Sequence, residues 1–167
     1  MAKTDDNLAA AFAGESQANR KYLAFAKAAD KEGLPQVARL FRAAAEAETV
    51  HAHNHLRVMG GVGKTADNLK AAIDGETYEF KEMYPAFIAQ AEKDSSGKAG
   101  LSFNYANRVE KIHADLYKKA AAAVKKGGDL PAAPLFVCQV CGNTVEGEPP
   151  ASCPICGSTR EQFKRVE

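Results

Sequence analysis

Glutamate and histidine recur along this chain at the spacing of a carboxylate-bridged pair of metal ions. Two Glu-x-x-His motifs begin at Glu48 and Glu110 and end at His51 and His113. Residues three apart on a helix lie on neighbouring faces, so each motif can present two ligands to one point. Further glutamates stand in the two other helical stretches, at Glu15, Glu76 and Glu79. This combination is typical of dinuclear metal centres in four-helix bundles.

Five carboxylates and two imidazoles facing a protein core are costly unless a cation compensates them. A single Glu-x-x-His on a helix more often marks a solvated surface, but two motifs at matched positions disfavour that interpretation. Oxygen-rich ligation with imidazole suits iron or manganese, whereas zinc needs fewer carboxylates and performs no redox chemistry. We therefore expect these seven side chains to be metal ligands and catalytic residues.

Charge counting indicates that one ligand is surplus. A diferrous pair is neutralised by four glutamates, whereas a diferric pair accepts a fifth carboxylate or an oxo bridge. Glu79 is the fifth carboxylate. We hypothesise that His51 and Glu79 alternate on one iron, the imidazole in the reduced state and the carboxylate in the oxidised state. Identical ligation in oxidised and reduced crystals would contradict this exchange.

Two tyrosines repeat near the predicted ligands. Tyr22 lies two turns beyond Glu15 on the same helical face, and Tyr84 takes the matching place in the second half of the chain. Each is a candidate hydrogen-bond donor to a ligand carboxylate. An ordinary core position is an equal alternative for both.

Four cysteines close the chain as two Cys-x-x-Cys-Gly motifs. Their positions are Cys138, Cys141, Cys153 and Cys156. Four thiolates at this spacing predict a tetrahedral metal site, and the spacing alone leaves zinc and iron as equal alternatives. A segment of this size cannot form a core unaided, so the metal also stabilises its fold. Iron would make the segment a one-electron relay.

Four Ala-rich amphipathic stretches predict long helices. Gly33 and Pro35 mark the first break, the glycines between 60 and 63 mark the second, and Ser95–Gly97 mark the third. Pro85 lies inside the third stretch, where we expect a kink rather than an end. The expected spans are 5–32, 35–59, 66–94 and 98–126. The predicted fold class is an all-α four-helix bundle followed by a small metal-stabilised β ribbon.

The helical part repeats itself as two hairpins. Glu15 recurs as Glu76 at an offset of 61, while Tyr22 recurs as Tyr84 and Glu48 as Glu110 at an offset of 62. The hairpins are joined by about seven to nine residues, which reach roughly 25 to 30 Å. A crossover along a helix of about 20 residues would use all of that reach. We therefore hypothesise a homodimer in which two chains exchange hairpins.

Composition and charge restrict the partners and the cellular compartment that we expect for this chain. The 167 residues have a net charge of +1, so a basic nucleic-acid module is not expected. The polar N-terminus lacks a signal-peptide core, and no apolar run is long enough to span a membrane. We expect a cytoplasmic protein whose cysteines are reduced. The predicted organisation is a helical domain over 1–126, a linker over 127–134 and a cysteine domain over 135–167.

Together these residues resemble the rubrerythrin family, which joins a ferritin-like di-iron domain to a rubredoxin-like iron domain. The resemblance covers essentially the whole chain and rests on five segments: Gly14–Ala18, Ala47–His51, Gly75–Glu79, Glu82–Pro85 and Glu110–His113. It implies that Glu48 and Glu110 bridge the irons. It assigns Glu15 and the exchanging His51 or Glu79 to one iron, and Glu76 with His113 to the other. The four cysteines would then hold a single iron.

The resemblance also implies an activity, the reduction of hydrogen peroxide to water in defence against oxidative stress. Electrons would come from NADH through a separate reductase or rubredoxin, since the chain has no glycine-rich nucleotide motif. Related proteins work as head-to-tail dimers with the ribbon of one chain beside the di-iron site of another. Two alternatives remain open: a ferroxidase or iron-handling protein, and a structural protein with zinc in its ribbon.

Overall fold

The computed structural model describes residues 3–167; Met1 and Ala2 of the polar N-terminal segment lie outside the described residues. The chain is mostly helical and ends in a small antiparallel sheet, which confirms the predicted fold class. It forms two compact units, one reaching to Gly63 and the other spanning Lys64–Glu167. The domain borders at 126 and 135 stay a prediction. The helices are α1 Lys3–Lys31, α2 Pro35–Val58, α3 Thr65–Tyr78, α4 Tyr84–Lys93 and α5 Gly97–Lys125.

The first unit is a hairpin of α1 and α2. Gly33 takes a positive φ of 75° just after α1, and Pro35 opens α2, as the sequence predicts. Alanines allow the two helices to approach closely, and Ala38 and Ala45 are almost fully buried. The side chain of Asn19 donates hydrogen bonds to the Ala45 carbonyl at 2.6 Å and to the Thr49 hydroxyl at 2.8 Å. These bonds fix the register of the hairpin that carries Glu15 and Glu48.

A π-helix separates α3 from α4 in the second unit. It spans Glu79–Met83, and the N–H of Tyr84 donates to the carbonyl of Glu79. A π-turn holds one more residue than an α-turn. This explains why the repeat offset changes from 61 at Glu76 to 62 at Tyr84. The helix continues through Pro85, as predicted, and its irregular hydrogen bonding lies just before the proline.

Matching aromatic clusters confirm the internal repeat. In each unit one tyrosine and two phenylalanines pack with ring centroids 5.6 to 6.3 Å apart. All three positions are related by an offset of 62. The clusters are Tyr22, Phe25 and Phe41 in the first unit and Tyr84, Phe87 and Phe103 in the second.

The cysteine ribbon is a three-stranded antiparallel sheet with the order β2-β1-β3. Its strands are β1 Leu135–Cys138, β2 Thr144–Glu146 and β3 Phe163–Val166. Its buried core consists of Cys138, Cys153 and Phe163. So small a core makes the sheet dependent on what the thiolates bind.

Between Lys3 and Glu167, no helix is both long and apolar enough to cross a lipid bilayer.

Candidate metal centre

The first unit brings Glu15 of α1 together with Glu48 and His51 of α2. Their potential ligand atoms all lie within 4.8 Å of one another, and His51 Nδ1 is 2.9 Å from Glu48 Oε2. A hydrogen bond to Glu48, followed by burial and the Glu48 charge, raises the pKa of Glu15. Hydrogen bonds from Glu15 and His51 lower the pKa of Glu48. The two carboxyl groups therefore shift each other's pKa in opposite directions beside an imidazole.

The second unit repeats this arrangement with Glu76 of α3 and with Glu110 and His113 of α5. These ligand atoms also lie within 4.8 Å of one another. His113 Nδ1 is 2.8 Å from Glu110 Oε2 and 3.7 Å from Glu76 Oε1. Burial, followed by the charge of Glu110, raises the pKa of Glu76 to about 7. The hydrogen bond to Glu110 raises the pKa of His113.

Glu79 lies close to Glu110 and His113 but is not one of the three residues whose ligand atoms cluster in the second unit. Burial, then the charge of Glu110, raises the pKa of Glu79. Tyr84 lies near the same carboxylates. Burial, followed by the charges of Glu110, Glu79 and Glu76, raises the pKa of its hydroxyl. Tyr22 lies in its aromatic cluster in the first unit.

The two groups fit metal ions of the oxygen- and imidazole-binding kind. The raised pKa values of Glu15 and Glu76 are the response of crowded carboxylates to an environment without a compensating cation. Metal binding replaces such protons, because the ligands bind in their deprotonated forms. Hard carboxylate oxygens with imidazole match iron or manganese better than thiophilic ions.

Metal-free protein is expected to lose thermal stability as the pH rises through the range in which these groups titrate. The pKa of Glu76 is raised from 4.5 to about 7 in the folded chain, so between these values the folded state binds more protons than the unfolded state. Stability then falls with rising pH. The raised pKa values of Glu79 and His113 act in the same direction. Thermal denaturation of chelator-treated protein, followed by circular dichroism from about pH 5 to about pH 6, measures the effect below the range in which the lowered pKa of Cys138, about 6, adds a contribution of opposite sign.

Two variants test the origin of this pH dependence. Glu76→Gln removes the main titrating group and should flatten the profile. Glu46→Gln changes an exposed carboxyl group of α2 and should leave it unchanged. A melting temperature that rises across the same range would contradict the prediction.

The four cysteines form a second site within the ribbon. They are free thiols whose sulfur atoms all lie within 4.8 Å of one another. The Cys138 and Cys156 sulfurs are 3.7 Å apart, and the Cys141 and Cys153 sulfurs are 3.6 Å apart. A tetrahedral site with metal–sulfur bonds of about 2.3 Å places its sulfurs about 3.8 Å apart. The thiols are therefore already spaced for a tetrahedral metal.

Each Cys-x-x-Cys-Gly motif forms a tight turn, called a knuckle below. The first knuckle spans Cys138–Gly142 and the second Cys153–Gly157, and the same backbone hydrogen bond closes both. Gly142 N–H donates to the Cys138 carbonyl at 2.8 Å, and Gly157 N–H donates to the Cys153 carbonyl at 2.9 Å. Both glycines have a positive φ, which fits their place after the second cysteine. The repeated geometry explains why both motifs end in glycine.

Ser158 contacts the cysteine site and was missed by the sequence analysis. Burial opposes ionisation of Cys138, but hydrogen bonds from the Ser158 hydroxyl and from the amides of Val140 and Cys141 lower its pKa to about 6. Asn143, at the same place after the other knuckle, lies with its Nδ2 3.6 Å from the Cys153 sulfur. A polar residue directly after each Cys-x-x-Cys-Gly was the signal that could have identified both.

A hydrogen bond joins the ribbon to the second carboxylate group. The Thr144 hydroxyl donates to the Gly142 carbonyl at 3.2 Å and lies 3.0 Å from His113 Nε2. The hydroxyl therefore accepts from Nε2–H, which leaves Nδ1 facing the carboxylates as a potential ligand. Sequence analysis missed Thr144, since 31 residues separate it from His113.

The sequence matches two family models. The rubrerythrin model covers residues 6–121, and the model described as the rubredoxin-like domain of rubrerythrin covers residues 136–164. Rubrerythrin-2 of Clostridium acetobutylicum is 37% identical, with 98% of this chain and 96% of the relative covered. Nigerythrin of Nitratidesulfovibrio vulgaris is 36% identical, with 98% of this chain and 86% of the relative covered.

Solved structures agree with these sequence matches. Nigerythrin in its partially reduced state and in its fully reduced, all-ferrous state each align with a TM-score of 0.59 at 33% identity. Each alignment covers 99% of this chain and 88% of the nigerythrin chain. The chain therefore belongs to the rubrerythrin family, with carboxylate and histidine groups for a di-iron centre and four clustered cysteines for a rubredoxin-like iron.

Proposed function

We propose that the protein reduces hydrogen peroxide to water at a di-iron centre and that its ribbon supplies the electrons. The observation that carries this proposal is the contact between Thr144 Oγ1 and His113 Nε2 at 3.0 Å. It joins the domain of four thiolates to a side chain of the carboxylate group. An iron store has no need of a one-electron relay, whereas a peroxidase needs one at every turnover.

We propose that the seven carboxylate and imidazole side chains hold the two irons. Glu48 and Glu110 would bridge the irons, as the resemblance to the family implies, and each lies within hydrogen-bond distance of the histidine of its own motif. Glu15 and His51 serve one iron, while Glu76 and His113 serve the other. Glu79, at the start of the π-helix, is the proposed oxidised-state replacement for His51.

Peroxide reduction requires two electrons and two protons for each molecule converted to two waters. When bound, the di-iron pair supplies both electrons at once, and the ribbon iron restores them singly. The protein side chains have separate tasks. Thr144 accepts from His113 Nε2–H and so keeps Nδ1 free, while the π-helix gives the Glu79 segment a looser hydrogen-bonding pattern than an α-turn.

The proposed electron donor is a separate NADH-linked reductase or a rubredoxin. We also propose a cytoplasmic setting, because the four cysteines act as metal-binding thiolates and a reducing compartment keeps them unpaired. A peroxidase of this kind would serve in defence against oxidative stress.

The proposed assembly is a homodimer in which each di-iron centre combines hairpins of two chains. Only Met59–Lys64 connects α2 to α3. Such a segment reaches at most about 24 Å. A crossover along α2, with 24 residues, needs about 36 Å. The exposed aromatic rings of Phe25 and Phe87, at 47% and 44%, are the surfaces that a second copy would cover.

Anaerobic stopped-flow absorption tests the proposed activity. The iron-loaded protein is fully reduced and mixed with hydrogen peroxide or with dioxygen, while the ferric-thiolate band of the ribbon is followed. Rapid recovery of the band with peroxide and slow recovery with dioxygen is expected. Faster recovery with dioxygen would support the ferroxidase alternative. A protein that lacks the band after loading with ferrous iron would support a structural zinc ribbon.

A further inference from the structure

Arg108 of α5 holds the second cysteine knuckle in a two-pronged hydrogen bond. Its Nη1 donates to the Ile155 carbonyl at 2.8 Å, and its Nη2 donates to the Pro154 carbonyl at 2.8 Å. Both carbonyls belong to the residues between Cys153 and Cys156. The planar guanidinium matches two successive carbonyl oxygens, a geometry that a lysine ammonium cannot reproduce.

The charge of Arg108 is not neutralised where it meets the knuckle. Its two partners are neutral carbonyl groups, and within residues 3–167 no carboxylate forms an ion pair with it. Other cations of α5 are paired differently: Lys111 binds Asp115 at 2.9 Å, and Lys119 pairs with Glu146 of β2. Arg108 therefore presents a full positive charge to the loop that carries two of the four thiolates.

Further contacts define the surface of α5 that the ribbon occupies. Val109 is 2% exposed, and a Cβ at Gly142 would stand 3.8 Å from its Cγ1. His113, four residues after Val109 on α5, contacts Thr144. Adjacent residues of α5 therefore meet the two knuckles, Arg108 the second and Val109 the first.

We propose that Arg108 is a positioning residue that holds the ribbon on α5 and raises the reduction potential of the ribbon iron. Four thiolates give a ferric centre one net negative charge and a ferrous centre two. A nearby cation stabilises the ferrous form more, because attraction grows with the charge of the centre. The proposal rests on iron in the ribbon and is independent of the oxidant that the di-iron centre reduces.

Redox titration of the full iron-loaded chain measures the effect of the charge. Arg108→Gln should lower the ferrous-to-ferric ratio at a fixed potential about tenfold, which is about 59 mV for one electron. Arg108→Lys keeps the charge and should retain most of the potential. Lys111→Gln removes one positive charge from the same helix, outside the contact with the ribbon, and should change the ratio less than about twofold.

Amide relaxation measured by NMR on the zinc-loaded full chain tests the positioning. In the wild-type protein the ribbon amides and the amides of α5 should show the same rotational correlation time. Arg108→Gln loses both the charge and the two-pronged bond, so its ribbon amides should relax as an independently moving domain, whereas Arg108→Lys keeps a single charged donor and should show intermediate mobility. The ferric-thiolate band of the iron-loaded variants verifies that the ribbon itself remains folded.

Two results would overturn the proposal. Equal shifts of potential in Arg108→Gln and Lys111→Gln would show that only net charge matters. Unchanged relaxation in the Arg108 variants would show that the ribbon is held without this residue. Because neither measurement uses peroxide, failure of the peroxidase function would leave both readouts intact.

Discussion

Serine in place of Cys138 is expected to abolish repeated turnover with hydrogen peroxide while the first oxidation of the di-iron centre survives. Cys138 is 1% exposed and is one of three buried residues in the ribbon core. Without its thiolate the ribbon loses a metal ligand and the main source of its folding energy, because structural metals in small domains contribute on the order of 10 kcal/mol. The proposed di-iron ligands all lie on the helices, and among residues 3–167 the ribbon contributes to them only the contact of Thr144 with His113.

The expected loss of steady-state peroxide reduction is on the order of 100-fold or more, since a missing ligand costs more than the loss of one of its hydrogen-bond partners. Single-turnover oxidation of pre-reduced protein should still occur, slowed by no more than the loss of the hydrogen bond between Thr144 and His113. Val140→Ser is the matched control, because Val140 is 51% exposed in the same knuckle and provides no sulfur. Full turnover in Cys138→Ser would show that electrons reach the di-iron centre without the ribbon.

The helix limits could be predicted from local chemistry. The predicted span 35–59 corresponds to Pro35–Val58, and 98–126 corresponds to Gly97–Lys125. Proline at the start of α2 and glycine after α1 act through the backbone of their own residues, so their effect is visible without tertiary structure. Repeated alanine then fixes which faces of the helices can approach closely.

The π-helix could be located but not identified from the sequence. The change of offset from 61 to 62 placed one extra residue between Glu76 and Tyr84. An extra residue can enter a helix as a bulge or lengthen a loop, and the sequence favours neither. In the structure it widens one turn between Glu79 and Met83, so that Glu79 stays close to Glu110.

The contacts between the ribbon and α5 could not be predicted. Arg108 is separated from its carbonyl partners by 46 and 47 residues, and Thr144 is separated from His113 by 31. Such pairs form only when two folded elements meet, and neither arginine nor threonine carries a local signal for that meeting. The cysteines were predictable because their spacing is fixed by the metal within one local fold.

Chains carrying complementary ligand substitutions are expected to restore each other's activity. Glu48→Ala removes a proposed bridge from the first unit, and Glu110→Ala removes the other from the second unit. Each homodimer should be nearly inactive. If hairpins are exchanged, a heterodimer of the two variants has one centre with both defects and one with none. Its peroxide reduction should then be about half that of the wild-type dimer.

A second heterodimer distinguishes a dimer with exchanged hairpins from any dimer in which each chain keeps its own hairpins. Both substitutions are placed in one chain, which is paired with a wild-type chain through two different affinity tags. With exchanged hairpins each centre receives one defect, so activity should almost vanish. Without exchange the wild-type chain keeps an intact centre, and activity should be about half. Because the two heterodimers contain the same set of altered residues, only the path of the chain between α2 and α3 can explain opposite results.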